Sequence, residues 1–449
     1  MAITTLDQLG ILLVTGAAYL LGLVVYRLYF SPLAKFPGPK IAAATLWYEF
    51  IYDVRKQGRY LWKIAEMHEK YGPIVRINPY ELHINDPDYY DELYIHGPRR
   101  TDKYEWQMKA FGPQTSTFQT LNHDLHRARR NAVAPFFSTA SVARIEPLIQ
   151  TDIEKLNARF RDARKTGVVI DLFHAFLALT NDIICEYAFG SPQGWLEQPE
   201  LGRDWAEAMF NALKMSPVFK QFGWLSKLMR SMPRSVANKM NPRLATFMSI
   251  STICQKRVED LRAETKDGKE SPNQRTIFSE LMTNKQLSEM DKSDMRLVGE
   301  GRSVMTAGAH FSYQVEYNRP HPSHHSLPPD QRPKVAREPA SRAGSYPRDV
   351  ETTAQVVRAR ETAVSGALTI QHISLPYILQ ITDDVQNAII TEGLSLAYCE
   401  LYLTIASVFA PGKFNFELYE TDDSDVEIVH DLFAPFARLD SKGIRVKVL

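Results

Sequence analysis

The nineteen residues Thr391–Phe409, TEGLSLAYCELYLTIASVF, set a thiol, Cys399, and a carboxyl, Glu400, inside an otherwise apolar run. Cysteine chemistry needs the thiolate, which nearby cations, backbone N–H groups or a metal must hold. An apolar helix supplies none of these, and a cysteine there reads as a small core residue. The other two cysteines, Cys185 and Cys254, stand far away in sequence, and Cys185 sits in an apolar run of its own. No C-x-x-C pair occurs, so neither a zinc site nor a disulfide framework is expected, and a reducing compartment is the natural setting. His126 and Arg130 lie four apart and so share one helical face. With Arg127 and Arg129 beside them, the same stretch also reads as a basic helix facing water. His321, His324 and His325 cluster without an acidic or cysteine ligand, and no metal site is assigned to them. The chain has no G-x-x-x-x-G-K-[ST] phosphate loop, no G-x-S-x-G turn and no H-E-x-x-H helix. This removes the readiest NTPase, α/β-hydrolase and zincin readings.

The elements that must position these groups are mostly helical. A chain of 449 residues is long enough for a large core and for two subdomains. A net charge of +1 gives no electrostatic reason to expect nucleic acid as a partner. Gln8–Tyr26, QLGILLVTGAAYLLGLVVY, is uncharged and about long enough to cross a bilayer. Arg27, Lys35 and Lys40 follow it and no Lys or Arg precedes it, which predicts an uncleaved anchor with the body on the cytoplasmic side. FPGPK (Phe36–Lys40) reads as a stiff linker. Leu61–Gly72 reads as a helix ended by glycine, and PIVRINPYELHIN after it as a two-stranded element around an Asn-Pro turn. Val142, Ile145, Leu148, Ile149, Ile153, Leu156 and Phe160 recur every three or four residues and form one amphipathic face. Phe414, Phe416 and Leu418, then Ile444, Val446 and Val448, alternate as strands do. From Tyr313 to about Val350 the chain is rich in Pro, Arg, His and Ser with little apolar periodicity, and is expected to be loop or disorder.

Several stretches, in their order, resemble the cytochrome P450 family and its fungal microsomal members in particular. The anchor with FPGPK is similar to that family's hinge, and HEKYGPIVRINPYELHINDPDYYDELY (His68–Tyr94) to its first sheet and following helix. LNHDLHRARRNAVAPFFS (Leu121–Ser138) resembles helix C, TNDIICEYAFG (Thr180–Gly190) helix E, and LVGEGRSVMTAGAHFS (Leu297–Ser312) the start of helix I. LSLAYCELYLTIASVF resembles helix L, and the residues after it the family's terminal sheet. The likeness covers residues 1–312 and again 391–449. It implies a mainly α fold with small β-sheets behind a transmembrane helix. The expected segments are an anchor at 8–26, a helical body at 36–312, an atypical segment at 313–390 and a terminal part at 391–449.

The resemblance further implies a haem cofactor, with electrons arriving from NADPH through a partner reductase, NADPH-cytochrome P450 reductase. The implied reaction is oxidation of a lipophilic small molecule by O2 at the endoplasmic reticulum membrane, in fungal secondary metabolism, where terpenoids are a common substrate class. It sets His126 and Arg130 over the haem propionates, where a donor and a fixed cation suit two carboxylates. It matches Ala307 and Gly308 to the Ala-Gly pair that opens room for oxygen in helix I. His310 and Phe311 occupy the places of the family's acid and threonine, and Ser312 comes one position late, about 100° round the helix.

The later motifs depart further. Glu316-Tyr-Asn-Arg319 has the spelling of the helix K pair but follows helix I too closely, and is read as coincidence. Glu392-Gly-Leu-Ser395 looks like a fragment of that helix with Ser in place of Arg. Where the cysteine loop belongs, only Gly393 matches: Asp384, Asn387 and Ile389 stand for Phe, Gly and Arg, and Thr391 for the iron-binding cysteine. No catalytic or metal-binding residue is therefore assigned. The composition of 313–390 is what a changed reading frame, a retained intron or a genomic lesion would produce. Two readings follow: a membrane-anchored monooxygenase, or an inactive or truncated relative that cannot hold haem.

Overall fold

Apolar periodicity decides which helix faces are buried. The computed structural model describes residues 5–86, 89, 100–240, 242–266, 276–317 and 391–449, with the backbone alone at some helix positions, 307–317 and 391–394 among them. The sequence segments into two compact units. The first comprises Met1–Phe111, Leu213–Met229 and Val429–Ala434; the second comprises Gly112–Ala212, Arg230–Ile428 and Pro435–Leu449.

The first unit begins with helix α1 (Thr5–Val25), apolar on all sides and with no buried residue. It continues into a wider turn, Tyr26–Phe30. Among the described residues this is the one helix long and apolar enough to cross a membrane. Its base is clamped to the body: Arg27 donates to the Ala44 carbonyl at 2.8 Å and the Tyr80 hydroxyl at 2.5 Å, and Arg76 donates to the Arg27 carbonyl at 2.8 Å. The FPGPK stretch is docked rather than free, since the Arg76 amide donates to the Pro37 carbonyl at 2.8 Å. Gly38, at φ +158°, lies so close to the Arg76 carbonyl that a Cβ would collide with it. Helix α2 (Tyr60–Tyr71) ends at Gly72 with φ +94°. Its i, i+4, i+7 positions Tyr60, Ile64 and Met67 are buried together with Val75 and Ile77. Strands β1 (Ile74–Arg76) and β2 (Leu82–Ile84) form the expected antiparallel hairpin, Ile74 opposite Ile84.

The second unit is a helical body. Helix α3 (His123–Val133) leads through a 3-10 turn, Ala134–Phe137, to helix α4 (Thr139–Thr166). The Ser138 side chain caps α4 by accepting from the Ser141 amide, and Gly167, left-handed at φ +73°, ends it. Val142, Ile149, Ile153, Leu156 and Phe160 are buried along one face, each contributing about 1.5–3 kcal/mol by leaving water. Strand β3 (Ile170–Asp171) precedes helix α5 (Leu172–Phe189), which is buried on nearly every side and is therefore the central helix of the unit. Helices α6 (Pro242–Lys266) and α7 (Asp294–Tyr317) follow; α7 packs on α5 and α6. Helix α8 (Thr391–Val408) packs on α4 and on the turn after α3.

The chain ends in strands β4 (Phe416–Leu418) and β5 (Arg445–Val448), which form a three-stranded sheet in the order β3-β5-β4. Ile170 pairs with Val446, and Phe416 with Val448. Phe414 lies outside β4 but packs its ring 5.5 Å from that of Phe160.

One boundary is corrected. The helix preceding the atypical segment does not stop at Tyr313: α7 keeps its backbone hydrogen bonding through Tyr317, so Glu316 belongs to its last turn. Composition alone misplaces that end because helix propagation tolerates the polar residues Tyr313–Tyr317 once the preceding turns exist. His321, His324, His325, Arg319, Asp384, Asn387 and Ile389 lie outside the described residues.

Candidate functional site

Helix α3 carries the first pair of candidate residues. The Asn122 side chain accepts from the Leu125 amide at 3.0 Å and caps the helix, with Asp124 in its first turn. His126 and Arg130 are both half-buried and share a face, while Arg127 is exposed. Arg129 is different from its neighbours. It is buried, and donates to Asp291 at 2.8 Å, to the Thr120 hydroxyl at 2.8 Å and to the Gln114 carbonyl at 3.3 Å. Burial pulls the Asp291 carboxyl up, but hydrogen bonds from Ser288 and Arg129 outweigh it and leave the group below its usual range. The basic run is thus neither wholly solvated nor wholly a site: one of its arginines ties α3 to the approach to α7.

The first turns of α7 are locked to the chain that leads into α3. Glu300 accepts from the Thr117 amide at 2.8 Å and hydroxyl at 2.9 Å, and pairs with Arg296 one turn earlier. Arg296 also donates to the Thr115 carbonyl and the Thr117 hydroxyl, each at 3.0 Å. Gly299 and Gly301 allow close approach on either side, to Thr115 and to the Phe189 ring. Further along, Met305 is fully buried with its sulfur 3.5 Å from that of Cys254, and the Thr306 hydroxyl donates back to the Arg302 carbonyl at 2.9 Å. Ala307, Gly308, His310, Phe311 and Ser312 follow in the same continuous helix, described by backbone alone.

Helix α8 carries the other candidates. Thr391 is its first residue. Cys399 is buried; burial first, and then the Glu146 and Glu400 carboxyls, push its thiol up to about 12. Burial likewise pushes Cys185 and Cys254 up to about 12. At neutral pH all three cysteines of the chain are protonated thiols. Glu400 is buried as well, and burial, followed by the Asp152 carboxylate, raises it well above its ordinary 4.5.

The sign of that shift gives a pH prediction. The folded chain keeps the Glu400 proton while the unfolded chain releases it above about pH 4.5. Stability from this residue is therefore whole below the unfolded value and is lost as pH rises. Glu400→Gln is expected to melt above the wild type at about pH 8, with the gap closing toward about pH 4. Equal melting temperatures at about pH 8 would remove the explanation.

The donor set can now be tested against a haem. His126 and Arg130 are the right types for two carboxylates and stand on one face. An axial thiolate needs a deprotonated sulfur held by cationic or N–H neighbours. None of the three cysteines meets that requirement, and a threonine begins α8 where the cysteine is expected. The residues present do not fit a thiolate-ligated haem. What sequence reasoning missed here is the Arg129–Asp291 pair and the Thr117–Glu300 seam, which join residues 162 and 183 positions apart and leave no local signal. The i, i+4 spacing of Arg296 and Glu300 was the one available hint.

Comparison with known proteins agrees with the helical body. The family profile of cytochrome P450 matches residues 39–310, more than half of the chain. Tryptophan 6-hydroxylase fscE of Fusarium equiseti is 33% identical, with 99% of each chain covered. The cytochrome P450 monooxygenase oblB of Cochliobolus heterostrophus is 34% identical, over 96% of this chain and 94% of the relative. The fusicoccadiene C-8 hydroxylase of Phomopsis amygdali is 31% identical, over 95% and 93%. The alignment with the Fusarium protein extends over 512 positions against a chain of 449 residues, so more than sixty of its positions have no counterpart here. On this agreement of helical body, apolar leading helix and relatives matched over almost their whole length, the chain belongs to the cytochrome P450 family.

Proposed function

We propose that the protein stands in the line of fungal secondary-metabolism monooxygenases that oxidise a lipophilic small molecule, a terpenoid being the favoured class, with O2 and with electrons from an NADPH-dependent reductase. Hydroxylation is the reaction carried by the names of two of its relatives. In this reading α1 anchors the chain in the endoplasmic reticulum membrane, and Arg27, Lys35 and Lys40 keep the body on the cytoplasmic face. His126 and Arg130 are the residues for the haem propionates, and Ala307 and Gly308 those that open α7 beside the ring.

One observation favours a second reading for a chain of this sequence. Every cysteine it has is a buried, protonated thiol, and none is placed to bind iron. The chain then keeps the family's anchored helical body and lacks its haem: an inactive or truncated P450-like membrane protein. Family membership supports the first reading and thiol chemistry the second, which is the better supported for the chain as it stands.

A reduced carbon monoxide difference spectrum of the full-length protein separates them. The expected result is no band of thiolate-ligated haem. Such a band would sink the second reading, whereas absence of haem, or a histidine-type spectrum, would sink the first.

A further inference from the structure

The first unit bears an open pocket of about 600 Å³, within the size range of small-molecule sites. Its polar lining is lopsided. Four carboxyl side chains, Glu49, Asp53, Glu81 and Asp431, face one ammonium, Lys220, and one imidazole, His83. Lys220, on the helix Ser216–Gln221, contacts Glu49 and lies 3.5 Å from Asp53. Asn78 donates to both Glu49, at 2.9 Å, and Glu81. Glu49, 1% exposed, is thereby matched on both oxygens, Oε1 by Lys220 and Oε2 by Asn78, and the one lysine is committed to it. The apolar lining includes aromatic rings, among them Tyr60, Tyr104 and the edge-to-face pair Phe111 and Phe433, centroids 4.4 Å apart.

Buried carboxylates without matching cations are costly, and the protein shows that cost. Burial pushes Asp53 up to about 7, with Glu49 and Asp431 adding to the rise and Lys220 opposing it. Burial raises Glu81 and Asp431 too. One lysine does not neutralise this lining.

We propose that the cavity is a binding site for an organic ammonium ion, a primary or secondary amine carried on a ring-sized apolar body. The ammonium supplies the positive charge that Asp53 and Asp431 lack once Lys220 is committed to Glu49. The aromatic lining receives the apolar body and favours the cation electrostatically. A neutral analogue of the same shape loses the charge-assisted bonds, and an anion meets the excess of carboxylates. The site goes beyond the monooxygenase reading and does not rest on it: all its lining belongs to the first unit, and no cysteine or haem contact enters the argument.

The test is calorimetric titration of the full-length protein in lipid nanodiscs, with empty nanodiscs as the blank, using phenethylamine, 2-phenylethanol and phenylacetate. Phenethylamine is expected to bind at least about ten-fold more tightly than 2-phenylethanol, and phenylacetate not at all. Asp53→Asn and Asp431→Asn, each nearly isosteric, are each expected to weaken phenethylamine about five- to ten-fold and to leave 2-phenylethanol unchanged. Should one variant fail to fold, the other and the three-probe comparison on the wild type still decide. Absence of amine binding, equal binding of the alcohol, or amine binding that survives both substitutions would overturn the proposal. Since the measurement needs no iron, a chain without haem that binds the amine retains this site and loses only the monooxygenase reading.

Discussion

Glu300→Ala is expected to lower the stability of the helical unit by about 3–5 kcal/mol, the usual cost of breaking a buried ion pair from one side. The Glu300 and Arg296 side chains are only 6% and 9% exposed. Removing the carboxylate leaves a buried guanidinium whose Nε has no partner even in the intact protein. The Thr115 carbonyl and the Thr117 hydroxyl remain as acceptors for its other nitrogens, but neither carries charge. The Thr117 amide loses its acceptor in the same step. Chemical unfolding followed by circular dichroism measures the loss. Glu300→Gln keeps an acceptor for Thr117 and should cost less, while the double change to Met at both positions should recover much of the deficit, because a buried pair replaced as a whole leaves no stranded charge. A Glu300→Ala protein within about 1 kcal/mol of wild type would mean that Arg296 finds water, and that the seam between α7 and the approach to α3 is looser than its geometry implies.

Local pattern made the elements legible, and distance in sequence hid what joins them. The apolar stretch read as Gln8–Tyr26 emerges as Thr5–Val25 with an added turn, and the helix read as Leu61–Gly72 as Tyr60–Tyr71. Both differ only at the ends, where capping and fraying decide the boundary. The face of α4 was read from spacing, yet Ile145 and Leu148 turn out half-buried because they sit at the margin of the stripe. Alternation announced the terminal strands but not their partner β3, because Ile170 and Val446 meet across most of the chain. The same holds at the candidate site. The spacing of His126 and Arg130 was visible, whereas the role of Arg129 between them depends on Asp291, far along the chain. The four carboxyls of the cavity come from three segments of the first unit, Glu49 with Asp53, Glu81, and Asp431, and no short window of sequence contains them all. Cys399 was legible as packing, since an apolar helix is a poor place for a thiolate, and its buried thiol agrees.

The second large effect runs against a general rule. Replacing glycine by alanine inside a helix ordinarily gains about 1 kcal/mol, because alanine has less backbone freedom to lose. Gly299→Ala is expected instead to lose about 2–3 kcal/mol, as overpacked sites do. A Cβ at Gly299 would fall on the carbonyl, the hydroxyl and the Cβ of Thr115 together. Thr115 is poorly free to yield: its amide donates to the Pro113 carbonyl at 2.7 Å, and its own carbonyl accepts from Arg296. Gly301, one turn-half further on, supplies the contrast. There the added Cβ would come within 2.9 Å of only the tip of the Phe189 ring, a milder overlap than the three at Thr115, so Gly301→Ala should cost less. Because Gly299 and Glu300 press on the same segment, their effects should not add. Once Glu300→Ala has released Thr117, Thr115 can move away from the new methyl, and the double variant should lose about 1 kcal/mol less than the two single losses combined. A Gly299→Ala protein more stable than wild type, or strict additivity in that cycle, would show that the segment before α3 moves freely and does not hold α7 in place.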